Sequence, residues 1–269
     1  MAIIQTEWRV RWFQPISLSL VFVAAPCGPP PPNGYAPQSW QEVCPYTVLD
    51  FNDLVPGTYV HDELMATKGV KITAKRRNNK AGYTPVNGVH QNAGGGAMVF
   101  DTLHPTGNDG QSLCGGTDGD DDLGAPNAAC DVEGPKPGHG PGGAPFRSDG
   151  SPNPYQNCKP IGNVLIIQES NKPCPDDSWR GGWIIFDFVE PAHVALAKLL
   201  DVDEGNTPEI TVTYADGSPP VTHIVPATGD NGLVETVLNA DNVSRVSIFY
   251  YGSGSISELV YRVCPETLA

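Results

Sequence analysis

The sequence has little basic charge and little charge of any sign. Its 269 residues include 16 Lys and Arg against 30 Asp and Glu, so the formal net charge is -14, and charged residues make up only 17% of the chain. An acidic chain lacks the basic surface that binds nucleic acids or anionic membranes. We therefore expect no nucleic-acid partner.

Long amphipathic helical stretches and long apolar runs are also missing. The only extended apolar run, residues 16–25 (ISLSLVFVAA), has about half of the ~20 residues that a membrane-spanning helix needs. Gly and Pro are abundant instead, at 30 and 27 residues. Few charges and many turn-forming residues favour short strands joined by loops, without membrane insertion.

The N-terminus is typical of a secretory signal. Arg9 and Arg11 precede the apolar run, and small residues follow it up to Cys27. The alternative is an N-terminal buried strand. We interpret residues 1–27 as a signal peptide, 28–43 as a Pro-rich lead and 44–269 as a single domain of a secreted, soluble protein.

Residues 44–269 predict an all-β domain. Apolar and polar residues alternate in several runs, for example at 70–74 and 210–214, which is typical of strands with one buried face. Turn signals separate the runs, as at 216–219 and 230–232. The pattern predicts an antiparallel, jelly-roll-like β-sandwich of roughly ten strands. Residues 192–200 fit a strand or a short helix equally well. The predicted strands are 46–51, 70–75, 97–101, 164–169, 183–188, 194–202, 209–214, 221–225, 234–238, 243–251 and 258–263.

Residues 102–160 form a long insertion with 12 Gly and 9 Pro and almost no apolar run. A loop of this length inside a compact domain is usually functional or disordered. Cysteines within it predict that disulfides pin part of it down.

Cleavage near Cys27 leaves six cysteines, an even number that predicts disulfides in a secreted chain. No pair has the spacing of a zinc site. Six cysteines allow 15 pairings, of which we favour one that ties the ends of the domain together and two that staple loops. The predicted pairs are Cys44–Cys264, Cys114–Cys130 and Cys158–Cys174.

Acidic residues in three loops suggest a calcium site. Residues 118–124 (DGDDDLG) combine alternating carboxylates with turn glycines, and Ca²⁺ binds six to eight oxygen ligands. If the strands ending near residues 101 and 169 are neighbours, their acids converge with those of the insertion. The alternative is an acidic loop that is only solvated. The predicted ligands are Asp101, Asp120, Asp122, Glu169, Asp176 and Asp177. Asp201, Asp203 and Glu204 form a second acidic group, for which a charged edge strand is an equally good interpretation.

Catalytic motifs are absent: the sequence has no G-x-S-x-G elbow, and its six histidines are scattered. Trp179 and Tyr251 are candidates for exposed rings that stack on sugars, whereas we expect Trp183 and Tyr250 to lie in the core. Asn242 begins an N-x-S glycosylation motif.

Several motifs occur in the order found in a recognisable group of proteins. They are VLDF at 48–51, PGT at 56–58, GVKI at 69–72, MVFDT at 98–102, DDDLG at 120–124, NVLIIQE at 163–169, PDD at 175–177 and GGW at 181–183. Over residues 46–263 the chain resembles uncharacterised extracellular β-sandwich modules of marine microbes and algae, which are similar in layout to jelly-roll carbohydrate-binding modules. The resemblance implies a binding or structural module, often stabilised by calcium, and supplies no catalytic residue.

These observations lead to one functional hypothesis and two alternatives. The hypothesis is a secreted, non-catalytic, calcium-stabilised module that binds extracellular glycans or matrix polymers. The first alternative is a polysaccharide-active enzyme, a hydrolase or lyase, with a carboxylate pair facing across a cleft. The second is a structural wall or matrix protein without a ligand.

Overall fold

A computed structural model describes residues 44–77, 95–105, 120, 122–130, 149–169, 174–202 and 207–264. The chain divides into two units, Met1–Ser39 and Trp40–Ala269, and all described residues belong to the second. The predicted signal peptide (1–27) and Pro-rich lead (28–43) therefore lie outside the described residues, as do Cys114, Asp203 and Glu204.

Antiparallel strands make up almost all of the regular structure. The strands are β1 (Thr47–Leu49), β2 (Tyr59–Val60), β3 (Val70–Arg76), β4 (Ala97–Asp101), β5 (Asn163–Ile167), β6 (Gly182–Val202), β7 (Glu209–Tyr214), β8 (Val221–Ile224), β9 (Gly229–Tyr250) and β10 (Ser255–Arg262). A four-residue helix, α1 (Met65–Lys68), precedes β3. Within the described ranges no helix is long and apolar enough to cross a membrane. The predicted all-β, antiparallel class is confirmed.

The strands form one continuous sheet in the order β2-β4-β5-β10-β6-β9-β7-β8, with β1 added to β10 and β3 to β6. Strands β6 and β9 have 21 and 22 residues and pair with each other along most of their length. Over its second half β9 also pairs with β7. The first half of β6 contacts β3, and the second half contacts β10. The ambiguous stretch 192–200 is thus strand. The sandwich and jelly-roll arrangement stays a prediction.

Register shifts between Asp187 and Val194 separate the two halves of β6. Such bulges bend a strand and increase its twist. Side chains from both halves of the sheet belong to one hydrophobic cluster, which includes Ile72 and Phe186 from one half and Leu165 and Leu199 from the other. The two long strands therefore connect both halves of the sheet to a common core.

A second cluster shows that part of the insertion is packed against the sheet. Leu123 is buried with Met98 and Phe100 of β4 and with neighbours on β5 and β6. The Ala125 N–H donates to the carbonyl of Thr102, 2.9 Å away. This part of the insertion thus packs against β4 and its neighbours β5 and β6.

One of the three predicted disulfides is confirmed. Cys44 and Cys264 are bonded with their Cα atoms 5.4 Å apart, and the bond closes a loop with a sequence separation of 220. It links the first and last described residues, as the prediction required.

The predicted loop staples were paired wrongly. Cys130 is bonded to Cys158, because the Asn127 N–H donates to the carbonyl of Asn157 at 2.7 Å and so brings the two segments together. Cys174 is in a disulfide too. The pairs Cys114–Cys130 and Cys158–Cys174 are therefore both wrong, although a disulfide does pin the insertion.

Candidate functional site

The outer face of strands β3, β6, β9, β7 and β8 carries a row of chemically useful side chains. Alternation puts the even-numbered Ile184 and Phe186 of β6 in the core, so the odd-numbered residues face outward. The cross-strand register aligns Lys75 with Trp183, Trp183 with Phe249, and Phe249 with Glu209. One row of the sheet thus joins a cation, two rings and a carboxylate.

The rings of Trp183, Phe249 and Tyr251 contact one another. Trp183 and Phe249 belong to this row, and Tyr251 directly follows β9. The ring centroids of Trp183 and Phe249 are 4.5 Å apart, and those of Phe249 and Tyr251 are also 4.5 Å apart. All three side chains are partly buried. The expectation that Trp183 lies in the core is wrong, because the period of two along β6 directs it outward. Tyr250, between Phe249 and Tyr251, points inward and is fully buried, as predicted.

A fourth ring, Trp179, lies in the turn just before β6 and is 62% exposed. The Gly181 N–H closes this turn by donating to Ser178 O at 2.7 Å, and the carbonyl of Gly181 accepts the Arg77 N–H at 3.1 Å. Gly181 has a φ of +65°, in the left-handed region, and a Cβ there would collide with the carbonyl of Tyr250. The turn therefore requires glycine. We call Trp179, Trp183, Phe249 and Tyr251 the aromatic patch.

Three cations lie over the aromatic patch. Lys75 Nζ is 4.5 Å from the Trp183 centroid, and the Arg180 guanidinium is 4.6 Å from that of Trp179. The Arg77 guanidinium is 5.4 Å from the Tyr251 centroid and 6.0 Å from that of Phe249. These distances fall in the range of cation–π attraction.

One carboxylate completes the patch. The Tyr251 hydroxyl donates to Glu209 Oε1 at 3.0 Å, and this hydrogen bond raises the pKa of Tyr251. Next to the patch lies a row of hydroxyl groups, in which the Thr211 and Thr222 Oγ1 atoms are 3.1 Å apart. Farther along the face, Arg245 Nε donates to Asp187 Oδ1 at 2.5 Å.

Four of the predicted calcium ligands gather at one end of the sheet. We call Asp120, Asp122, Asp176 and Asp177 the acidic cluster, because their charges act on one another: Asp122, Asp176 and Asp177 each raise the pKa of Asp120. The Asp177 backbone N–H donates to Asp120 Oδ2. The structure thus places the acids of two of the three loops close together, and calcium binding there stays a prediction.

Asp177 is the anchor of the cluster and is 3% exposed. Its Oδ2 accepts hydrogen bonds from Ser253 Oγ at 2.5 Å and from the Gly254 N–H at 2.6 Å. Gln168 positions the adjacent backbone, since its Oε1 accepts the Asp176 N–H at 3.0 Å and its Nε2 donates to Cys174 O at 2.7 Å. A buried amide and a disulfide therefore support the acids.

Burial raises the pKa of Asp120 far above its usual value of 3.8, and the charge of Asp177 raises it further. Burial also raises the pKa of Asp177, although the hydrogen bonds from Ser253 and Gly254 oppose this shift. The two carboxyl groups therefore cannot both be ionised at neutral pH without a counter-charge. Among the described residues, no group of three Asp, Glu, His or Cys side chains has the arrangement of a metal site.

The expectation that Asp101 joins these acids is wrong. Its strand β4 is indeed a neighbour of β5, but the two are antiparallel, with Asp101 opposite Asn163 and Ala97 opposite Ile167. Asp101 therefore lies about 13 Å along the strands from the end at which Glu169 emerges. Its carboxylate instead contacts His104 Nδ1 at 2.9 Å.

Glu169 lies beside the cluster but faces another way. Its backbone N–H donates to Asp176 O at 2.7 Å, whereas its side chain contacts Arg76 at 3.5 Å and accepts the Trp179 N–H at 3.4 Å. Asp201 is buried at the end of the central strand β6, so the interpretation as a charged edge strand is wrong; its Oδ1 accepts the Asn231 N–H at 2.6 Å.

Sequence reasoning missed the asparagines that attach the insertion to the sheet. Asn231 Nδ2 donates to the carbonyls of Asp122 and Gly124, and Asn157 Nδ2 donates to Asn231 Oδ1 at 3.1 Å. The motif at 230–232 had been interpreted only as a turn, and the positive φ of Asn231 (57°) agrees with that. Nothing in the local sequence indicates its contacts across 107 residues.

Asn242, the predicted glycosylation site, is exposed and follows a bulge in β9. It borders a groove of about 590 Å³ between β6, β9 and β10. In this groove His193 Nδ1 and Asp241 Oδ1 are 2.7 Å apart.

Comparisons with known proteins identify no family. No family model matches the chain, and no curated protein matches it. Among solved structures, it is similar to an allantoicase (18% identity, 33% of this chain and 35% of that chain, TM-score 0.25) and to the allantoicase of Saccharomyces cerevisiae (16%, 32% and 34%, 0.23). It is also similar to CpGH89CBM32-6 of Clostridium perfringens (8%, 32% and 71%, 0.23). The chain spans about a third of the length of the two allantoicases, and TM-scores this low carry no argument about function.

Proposed function

We propose that this protein is a secreted, non-catalytic module that binds extracellular glycans or matrix polymers through the aromatic patch, and that calcium bound at the acidic cluster stabilises it. The observation that carries the proposal is the contact between the rings of Trp183, Phe249 and Tyr251 on the outward face of the sheet, with the exposed Trp179 in the turn that leads into β6. Single exposed apolar side chains are common, whereas a contiguous apolar patch on the surface usually marks a binding site.

The chemistry of this face suits a sugar polymer. The C–H faces of a pyranose pack on aromatic rings, and its hydroxyl groups need hydrogen-bonding partners close by. The patch offers Trp179 as an exposed ring, and Glu209, Arg77 and the neighbouring row of Thr and Ser hydroxyls as polar partners. A rigid sheet holds these groups in place before any ligand arrives.

The arrangement of acids on this face supports binding without hydrolysis. Glycosidases use two carboxyl groups separated by about 5 to 9.5 Å. The two acids on the part of this face that carries the rings, Asp187 and Glu209, are two strands and four residues apart, or roughly 16 Å. Each is also engaged, by Arg245 and by Tyr251 respectively. We therefore place the enzyme alternative second.

Calcium at the acidic cluster is proposed for two reasons. The cluster is a set of hard oxygen donors, which suit Ca²⁺, and the charges of Asp177, Asp176 and Asp122 each raise the pKa of Asp120. In addition, the buried Tyr250 hydroxyl has no hydrogen-bond partner in the described part of the chain. Burial raises the pKa of Tyr250, and the charge of Asp177 raises it further. Buried polar atoms of this kind often have an ordered water or ion as a partner. Asp120, Asp122, Asp176 and Asp177 would hold the ion, which would neutralise their repulsion.

Secretion is supported by the disulfides, since such bonds persist in oxidising compartments. The net charge of -14 argues against nucleic acid as the partner.

The proposal is tested by measuring polysaccharide binding of the mature protein and of Trp179→Ala by affinity electrophoresis and calorimetry. Because Trp179 is largely exposed, the variant should keep its fold and lose affinity about tenfold. Val237→Ala is the matched control, since Val237 is 64% exposed on β9 and lies outside the patch. Equal affinity of Trp179→Ala and the wild type, or no binding to any neutral or charged polysaccharide, would contradict the proposal.

A further inference from the structure

The aromatic patch is basic although the whole chain is strongly acidic. Lys75, Arg77 and Arg180 lie over its rings, in a protein with a net charge of -14. We propose that the patch binds anionic glycans, namely polymers that carry carboxylate or sulfate groups. This inference rests on the proposed function and specifies its ligand class.

These cations form no ion pair with an acid among the described residues. Other cations do form ion pairs: Arg76 with Glu169, Lys198 with Glu235 and Glu258, and Arg245 with Asp187. Over the residues that the structure covers, Lys75, Arg77 and Arg180 have no corresponding partner, so their charges remain available to a ligand.

Among the described residues, the charge at the rings of Trp183, Phe249 and Tyr251 is therefore positive. The acidic cluster lies beyond Tyr251, where Asp177 accepts a hydrogen bond from Ser253. In the described part of the chain, three cations lie over the rings, and Glu209 is the one carboxylate that hydrogen-bonds a ring of the patch. Glu169 also approaches, through the Trp179 N–H, but Arg76 compensates its charge. A positive patch on an acidic protein attracts anions locally, while the rest of the surface repels them. Polyanions are thus directed to this face.

The positions of the cations favour anionic over neutral sugars. Because Lys75 and Arg77 already lie against the rings, a sugar that reaches those rings meets an ammonium or guanidinium group first. A neutral sugar must displace the cation and lose the cation–π contact. A uronate or sulfate ester can instead bind the cation in place.

Arg77 is well suited to this role. In the structure its guanidinium donates one hydrogen bond, from Nη1 to Tyr251 O at 3.3 Å. A guanidinium carries five N–H donors and binds carboxylates and sulfate-like groups in a bidentate manner. The bond to the backbone of Tyr251 orients the group while leaving donors for a ligand.

The experiment compares matched ligands on the mature protein by calorimetry. The probes are a polygalacturonate hexamer with its carboxyl-reduced neutral form, and a sulfated galactan with its desulfated form. We expect each anionic probe to bind about tenfold more tightly than its neutral counterpart. The affinity for the anionic probes should also fall as NaCl increases.

The variant Lys75→Gln/Arg77→Gln should remove most of this preference and of the salt dependence. Lys71→Gln is the matched control, since Lys71 lies on the same strand and face, opposite Asp187 and away from the rings, and it should behave like the wild type. Equal binding of neutral and anionic probes would overturn this inference and leave the proposed function standing. Failure of all four probes to bind would overturn both.

Discussion

The acidic cluster predicts an unusual pH dependence of stability. In the folded protein, burial and mutual repulsion raise the pKa of Asp120 beyond neutrality, whereas an unfolded Asp releases its proton near pH 4. Between these values Asp120 alone makes the folded state bind about one proton more than the unfolded state, and the raised pKa of Asp177 adds to this difference toward pH 5. The free energy of unfolding must therefore fall as the pH rises, which is opposite to the behaviour of a carboxylate in an ion pair.

The magnitude follows from linkage. One extra bound proton corresponds to about 1.4 kcal/mol per pH unit, so the metal-free protein should lose about 3 kcal/mol between pH 5 and pH 7. For a domain of this size the melting temperature should fall by roughly 5 to 11 °C. The assay is thermal and urea unfolding in excess EDTA at several pH values.

Asp120→Asn is the informative variant. Its amide oxygen can still accept the Asp177 N–H, but it carries no ionisable proton. The variant should be more stable than the wild type at pH 7 in EDTA and should show a flatter pH profile. Asp149→Asn is the control, because Asp149 is exposed and, among the described residues, its carboxylate bonds to Ser151 of its own loop. Added Ca²⁺ should prevent the loss of stability of the wild type between pH 5 and pH 7, since the ion takes the place of the proton on Asp120. A wild-type stability that rises from pH 5 to pH 7 in EDTA would refute this reasoning.

Three further predictions concern the scaffold and can be checked by urea unfolding. Replacing both Cys44 and Cys264 by Ser should lower the free energy of unfolding by up to about 5 kcal/mol, because their disulfide closes a long loop. Replacing both Cys130 and Cys158 by Ser should lower it by up to about 3.5 kcal/mol, because their loop is shorter. Equal losses in the two double variants would contradict the loop-entropy argument. Gly181→Ala should destabilise the protein by more than about 3 kcal/mol, because a Cβ collides with Tyr250 O at a positive φ. Gly217→Ala, with a positive φ and open space around it, should cost only about 1 kcal/mol, and a similar loss in both variants would show that the collision is relieved.

The sequence predicted the class of fold because alternation is a local property. A period of two is visible in any strand with one buried face, and the predicted runs correspond to β3, β4, β7 and β10. The lengths of β6 and β9 were not predicted, since bulges interrupt the alternation in the middle of each strand.

The errors at the candidate sites arise from long-range geometry. Trp183 was assigned to the core by its size, although the same alternation that places Ile184 inside directs it outward. Asp101 and Glu169 each follow or end a strand, but the sequence does not indicate the relative direction of β4 and β5. Because these strands are antiparallel, their C-terminal ends lie at opposite ends of the sheet. Cys130 lies beside Cys158 because the insertion folds back, through Asn127 and Asn157, in a way that no local pattern indicates.

Ligand binding on the aromatic patch is tested most directly by the indole N–H signals of the tryptophans. The chain has five tryptophans, of which Trp179 and Trp183 belong to the patch. The measurement is a two-dimensional ¹H–¹⁵N spectrum of the mature protein titrated with the polygalacturonate hexamer. We predict that the Trp179 and Trp183 indole signals shift together along one saturable curve, while any other indole signal stays in place. Saturable binding that leaves both signals unmoved would contradict the claim.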